Sequence, residues 1–435
     1  MPSCPTPPAD TNPTRHDRLL EALRAVPDPR DRRGVRYSLA GVLALAVTAT
    51  VAGGRSFAAI GQWATETAAD KLASFGLTSG SAPDESTLRK LFARIDADAL
   101  DRALGVWMWT RTFTVDQRRV IALDGKTIRG ARTRPDGKAP HLVAAFDHGA
   151  GAVLGQVAVD VKSNEIPAAR TLLGYLKLDG TVVTLDAMHT QTDTATAITG
   201  AGGDYVFTVK ANMPTLHQKL KELPWKDMPA CTARTAERGR RVTRTIKVAD
   251  VPDWIDFPGA AQVAQLRRTV TDKGTKTVEV VDLITSASHT DAPPQQLAAW
   301  VQGHWGIENR LHWVRDVTLG EDGSQVRTGQ APPVMATCRN LAISILRIDG
   351  WENIAAGLRH HARHPDHALA LVPTSRNATI PGPCRRLYRS ITVPRYSFCP
   401  DSVGISVMSY ADPRNMPMTS VMVHSDNAFG VVWSA

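Results

Sequence analysis

The sequence predicts an α/β protein in which an all-helical amino-terminal block precedes a mixed sheet, and three observations predict it. Residues 17–111 place their apolar positions at helical spacing. Residues 118–223 alternate short β-branched runs with helix-like stretches. Between residues 221 and 287 the helical stretches give way to strand-like runs. A chain of 435 residues with 43% apolar content can bury a sizeable core, and its length suggests two or three domains.

In chain order, residues 1–14 hold five prolines and little that packs, and are expected to form a disordered arm. The helical block, bounded at 15–112, reads as DRLLEALRAV, an apolar run over 39–54, SFAAIGQWATETAADKL, STLRKLFARI and ADALDRALGVWMWTR. Ser56 and Ser86 are the expected N-caps of two of these helices. The run LAGVLALAVTATVAGG is short for a bilayer span and contains Thr48 and Thr50, so it reads as a buried core helix and no membrane partner is expected.

RRVIALDGK is the expected first strand, with HLVAAFD and AVLGQVAVDV next, joined by the turn HGAG. NEIPAARTLLGYL follows as a helix capped by Asn164, then strand TVVTLDA, helix TQTDTATAITGAG, strand DYVFTVK and helix PTLHQKLKEL. This order, β-β-β-α-β-α-β-α, is that of a ribonuclease H-like core: an antiparallel meander followed by parallel strands reached through right-handed crossovers. In such a core the first and fourth strands are parallel neighbours. A β-rich insertion over 221–287, with RRVTRTIKVAD, QVAQLRRTVT and TVEVVDLITSA, interrupts a domain spanning 115–348, and a helix over 294–314 follows it. A further helix is expected at 349–374.

Three carboxylates sit where such a core can gather them: Asp124 ends the first strand, Asp186 ends the fourth, and Glu308 lies on the late helix. An Asp closing a strand is by itself more often a turn former or helix cap, so the weight rests on the combination. Breaking a phosphodiester needs an activated water, a stabilised leaving oxygen and in-line geometry, which two hard divalent ions about 4 Å apart supply. Mg²⁺ and Mn²⁺ prefer carboxylate oxygens and keep positions open for water and phosphate. His304, Glu308, His312 and Arg315 fall on one helical face, where cationic neighbours can hold phosphate oxygens. Trp305 and Trp313 read as core or lid packing ahead of base stacking.

A net charge of +9 points to a polyanion partner or to an ordinary basic enzyme. Arg89, Lys90 and Arg94 form a basic face on the helix starting at Ser86, which suits either a DNA groove or solvent. Lys126, Thr127 and Arg129 can touch DNA phosphates or simply make a polar turn. His189 and Gln191 can position a water or flanking strand, or cap the next helix. Asp316 can support the acids. Arg238, Arg240, Arg241, Arg244, Arg267 and Arg268 can track phosphates or blunt strand edges. GKT after Asp124 lacks the glycines of a phosphate-binding loop, so no nucleotide cofactor is expected. Five cysteines without metal-ligand spacing suggest a reducing, cytoplasmic setting and no structural zinc.

The phrases ALDGKTIRGA, VVTLDAMHTQ, DYVFTVKANMP and HWGIENRLHWVRDVTLGEDGSQVRTG, followed by NLAISILR, resemble in this order the DDE transposases of bacterial insertion sequences, in the ISAs-type branch that includes the H-repeat-associated proteins. The resemblance covers residues 17–371. It implies that Asp124, Asp186 and Glu308 are the catalytic acids of a Mg²⁺- or Mn²⁺-dependent endonuclease. It also implies nicking at the element's terminal repeats, attack of the freed 3′-OH on target DNA, and a homodimer or larger assembly on DNA. Related enzymes carry a Tyr, Arg, Glu and Lys signature on the Glu helix, and here Val301, His304 and Arg315 stand at the Tyr, Arg and Lys positions. The candidate DNA contacts are Lys126, Arg129, His189, His304, His312 and Arg315, with Arg89 and Lys90 from the amino-terminal block.

Residues 375–435 contain no Lys or Glu and show no clear helical or strand period. They read as a loose extension or as out-of-frame sequence appended to the element. Two functions therefore stand side by side: an active transposase, favoured by the intact acids, and a DNA-binding remnant of a decayed element, favoured by the tail. A stand-alone ribonuclease H-type nuclease would not need the helical block.

Overall fold

The computed structural model describes residues 19–77, 81–112, 118–132, 139–160, 162–237 and 239–372, with the backbone of 396–397, 405–411, 417–425 and 428–433. The expected arm at 1–14 and much of the tail lie outside the described residues.

The amino-terminal block is helical throughout: α1 (Leu19–Arg24), α2 (Leu39–Val51), α3 (Phe57–Glu66), α4 (Ala69–Ser74), α5 (Glu85–Phe92) and α6 (Ala97–Trp109). Every residue of α2 is buried, as expected of a helix apolar on all faces. Its hydroxyls are satisfied internally, Thr48 donating to the Ala44 carbonyl at 2.8 Å and Thr50 to that of Ala46 at 2.7 Å. Ser56 caps α3 by accepting from the Ala59 amide at 3.2 Å. Ser86 is not a cap: Asp84 takes that place, accepting from the Thr87 amide, and Ser86 lies in the first turn with its hydroxyl on Asp84. A carboxylate is the better acceptor at the positive end of a helix. No helix among the described residues is long and apolar enough to cross a membrane.

The core strands are β1 (Val120–Thr127), β2 (His141–Asp147), β3 (Val153–Ala158), β4 (Val182–Leu185) and β5 (Asp204–Val209). Helix α7 (Glu165–Tyr175) joins β3 to β4, α8 (Thr192–Gly200) joins β4 to β5, and α9 (Pro214–Lys221) follows β5. Asn164 caps α7, accepting from the Ile166 amide at 3.0 Å. β1 pairs antiparallel with β2 and β2 with β3, whereas β1 pairs parallel with β4 and β4 with β5. Leu123 stands opposite Leu185 across the parallel pair. The next residues, Asp124 and Asp186, therefore stand side by side. Asp186 lies just past the end of β4, but Asp124 is still within β1, which was expected to end there and instead stays paired with β2 as far as Thr127.

The β-rich segment contributes β6 (Cys231–Glu237), β7 (Arg240–Asp250), β8 (Gln262–Asp272) and β9 (Thr275–Thr285). It does not form a separate body: β9 pairs antiparallel with β5, and one sheet runs β6-β7-β8-β9-β5-β4-β1-β2-β3. Between β8 and β9, Lys273 (φ 46°) and Gly274 (φ 86°) both take positive φ, the signature of a two-residue hairpin turn matched to strand twist. Strand β6, with the sequence CTARTAE, has too few apolar residues to announce itself.

The helix expected over 294–314 is corrected. α10 (Pro294–His304) stops at His304, and the chain continues through two wide turns, Glu308–His312 and Val314–Thr318, closed by bonds from the Trp313 amide to Glu308 and from the Leu319 amide to Val314. Such i→i+5 winding is rare and concentrates at functional sites. α11 (Ala331–Ile348) is buried over most of its length and packs against α2, α6 and β3. The single helix expected at 349–374 is two, α12 (Ile354–Arg363) and α13 (Pro365–Leu371). The break falls at His364 (φ −129°, ψ 72°), because the ring of Pro365 disfavours helical backbone in the residue before it. Farther on, β10 (Tyr396–Ser397) pairs with β6, and β11 (Ile405–Ala411), β12 (Pro417–Ser425) and β13 (Ala428–Trp433) form a separate antiparallel meander.

Candidate active site

β1 and the first wide turn bring two of the three acids together. His312 Nδ1 lies 3.4 Å from Asp124 Oδ2 and 3.7 Å from Glu308 Oε2. Asp124, Glu308 and His312 each offer an atom within 4.8 Å of the others, and no other such group of metal-ligating side chains occurs among the described residues. Asp186 stands apart from this group. Its carboxylate lies 3.4 Å from His304 Nε2, while His304 Nδ1 lies 3.0 Å from the hydroxyl of Thr184, two residues earlier. Asp186 also opens the short helical turn Ala187–His189, whose His189 amide bonds back to its carbonyl at 3.0 Å.

The electrostatics follow from these contacts. The His312 hydrogen bond holds the Glu308 carboxyl below its ordinary range, and His304 does the same for Asp186. Burial disfavours charge on His312, but Asp124 and Glu308 outweigh it and raise its pKa. Two carboxylates thus favour the protonated form of His312, which lies between them. Next to His304, the half-buried His148 is pushed down to about 3 by desolvation and stays neutral, 3.2 Å from the Thr184 hydroxyl.

Several expected DNA contacts turn inward. Arg315 is fully buried, its guanidinium forked onto Glu321 at 3.0 and 2.7 Å with Gln156 at 3.3 Å, so it offers nothing to a phosphate. The wide turns displace it from the face that regular α-helical spacing assigned to it. Lys126 is buried and bonded to Asp316 at 2.5 Å, tying β1 to the second wide turn. His189 is 1% exposed, with Nε2 3.5 Å from Glu165. Arg129 does face solvent, 3.9 Å from Asp322, and Arg89 lies exposed beside Glu85 in an i,i+4 pair with Lys90 exposed next to it. Arg94 instead donates to the Pro29 carbonyl.

Of the two packing roles expected for the tryptophans, core and lid, the core one is not met. Trp305 is 54% and Trp313 55% exposed, so neither fills the core. Trp305 lines a groove with Asp186, Lys210, His304 and Arg268. The sequence also concealed two carboxylate anchors, Glu321 buried and Glu165 half-buried. Glu321 sits in a Gly-flanked segment that reads as a turn, yet it pairs with both Arg315 and Arg339. Glu165 opens an ordinary-looking helix, yet it receives two histidines.

The chain is similar to known proteins over most of its length. The family described as "Transposase DDE domain" matches residues 116–344, and "DDE_Tnp_1-associated" matches residues 20–108. "Putative transposase YncI" of Escherichia coli O157:H7 is 32% identical over 341 residues, covering 76% of this chain and 87% of that protein. "H repeat-associated putative transposase YhhI" of Escherichia coli K12 is 30% identical over 362 residues, covering 80% and 94%. A piggyBac transposase synaptic complex with hairpin DNA aligns over 82% of this chain at 10% identity with a TM-score of 0.37, too distant to carry an argument. With half the chain matched by the domain and near full-length relatives at this identity, the chain belongs to the DDE transposase family, whose work is DNA recombination by transposition.

Proposed function

We propose that this chain nicks DNA at the ends of its insertion element and joins the freed 3′-OH to target DNA, with Asp124, Asp186 and Glu308 as the acids of a divalent-metal site in a ribonuclease H-like core. One observation carries the reading. Asp124 and Glu308, remote in sequence, converge within 4.8 Å of a shared imidazole, while Asp186 leaves the strand directly beside Asp124. The strand order β3-β2-β1-β4-β5, with its antiparallel and parallel pairings, supports the ribonuclease H-like assignment.

The donor set fits a divalent ion. The His312 Nδ1 lies between two carboxylates, so positive charge is favoured there, and its Nε2 is buried without a hydrogen-bond partner. Asp124, Glu308 and Asp186 would hold Mg²⁺ or Mn²⁺, with a neutral His312 as a further ligand. Bound ions supply an activated water and stabilise the leaving oxygen. The protein's own groups do the rest. His304 orients the Asp186 carboxylate, the Lys126–Asp316 pair fixes β1 against the wide turns, and Trp305 with Lys210 and Arg268 offers a groove for the strand beside Asp186.

DNA is the partner, engaged as a dimer or larger assembly. Residues 15–112 serve as the end-binding domain, 115–348 as the catalytic domain and 349–374 as a carboxyl-terminal support. Arg89→Glu with Lys90→Glu is expected to abolish sequence-specific end binding and to reduce the salt slope by about two. Unchanged retention of end DNA in a gel-shift titration would remove α5 from the interface. Trp305→Ala is expected to weaken end binding by about 1–3 kcal/mol if a base stacks on it, measured by fluorescence anisotropy.

The deciding experiment incubates the protein and Mn²⁺ or Mg²⁺ with a supercoiled plasmid carrying the gene and its native flanks. Nicks mapping to the element's ends establish the transposase. End binding without cleavage instead favours a decayed, DNA-occupying copy, a reading that rests on the Lys- and Glu-free residues 375–435. If that tail is out-of-frame sequence, removing residues 376–435 leaves folding and end binding intact.

A further inference from the structure

We infer that Glu165 is a positioning residue that locks β1 at Asp124 and the end of β4 at Asp186 into one spacing, acting from the face of the sheet opposite the acids. The inference rests on the metal-site reading above.

Alternation along β1 sends Asp124 and Lys126 to one face, toward the wide turns, and Gly125 and Thr127 to the other. On that second face Glu165, the first residue of α7, occupies the space a side chain at 125 would need. A Cβ there would meet the Glu165 carboxylate carbon at 2.3 Å. The carboxylate receives His141 Nε2 at 2.7 Å, and His141 Nδ1 is in turn 2.7 Å from the Thr127 hydroxyl. Its other oxygen lies 3.5 Å from His189 Nε2. His189 closes the turn that Asp186 opens.

One carboxylate therefore touches β1 just past Asp124, β2 through His141, and the turn just past Asp186. Glu165 is well suited to a fixed charge. His141 first, then His189, hold it down to about 2 against burial, and it stands at the positive end of α7. Neither Glu165 nor the two histidines falls within the group that could hold a metal, so they act through the acids and not as ligands. Groups that orient metal ligands from behind commonly change metal affinity by about 10–100-fold when removed.

The test measures Mn²⁺ binding to the full-length protein without DNA, by electron paramagnetic resonance of the free ion, alongside thermal unfolding and end-DNA binding in Ca²⁺. Glu165→Gln is expected to remain folded and bind DNA, but to bind Mn²⁺ at least about tenfold more weakly. Gly125→Ala, which displaces the carboxylate, is expected to match it. The double variant Glu165→Ala/Gly125→Ala is expected to lose no more than Glu165→Ala alone, because both changes break one contact. Wild-type Mn²⁺ affinity in Glu165→Gln and Glu165→Ala, with affinity lost in Asp124→Asn, overturns the positioning role alone. Wild-type affinity in Asp124→Asn as well overturns the metal-site reading beneath it.

Discussion

Asp124→Asn is expected to lower strand cleavage at the element's ends by about a thousandfold, equivalent to about 4 kcal/mol of transition-state stabilisation. The amide keeps the shape of the side chain but removes the charge that draws a cation to the space between Asp124 and Glu308. It also removes one of the two partners that raise the His312 pKa. Glu308→Gln should act alike and Asp186→Asn nearly so, since His304 presents that carboxylate from the adjacent strand end. End binding should survive all three, which separates lost chemistry from lost fold. Cleavage by Asp124→Asn within tenfold of wild type would remove that acid from the mechanism.

Glu321→Gln is expected to cost about 3–5 kcal/mol of stability, a large share of the roughly 5–15 kcal/mol typical of a folded domain. Glu321 is fully buried between Arg315 at 2.7 Å and Arg339 at 3.0 Å, so losing its charge strands two buried guanidiniums. Burial alone would raise its pKa, but Arg315 and Arg339 outweigh burial and hold it below the ordinary value of 4.5. A depressed folded pKa stabilises above the unfolded value and is lost as pH falls. Wild-type stability should therefore decline below about pH 4.5, and Glu321→Gln should flatten that acid limb. Replacing Arg315, Glu321 and Arg339 together with apolar residues of similar volume should recover most of the loss, as measured by denaturant unfolding. A single Glu321→Gln chain as stable as wild type would show that the triad contributes nothing net.

The parts of the fold legible in the sequence are those with a strong local signal. TVVTLDA and DYVFTVK announce β4 and β5 through β-branched runs, and α2 announces its burial by being apolar on every face. The convergence of Asp124 with Glu308 followed from strand ends and motif order. Arg315 was misread because α-helical spacing was assumed where the backbone winds wider. Trp305 and Trp313 were misread because bulk and apolarity suggest core, whereas the wide turns hold both outward. Glu165 was invisible because His141 and His189 reach it only once the sheet has closed, and Glu321 because a carboxylate in a Gly-flanked turn gives no sign that Arg315 and Arg339 fold in around it.

The wide turns after α10 have a consequence for how this segment tolerates length change. A π-type turn holds one residue more than an α-turn within the same closed loop of backbone. Deleting one residue from the Val314–Thr318 turn would let the backbone relax to ordinary winding while Glu308 upstream and Leu319 downstream kept their places. A single deletion there is therefore expected to leave the acid seated provided it spares Arg315 and Asp316, whose pairs with Glu321 and Lys126 hold the stretch in place. Counting a fixed number of positions forward from Glu308 does not find the next functional side chain, and a cation sought by that rule will be found facing the core.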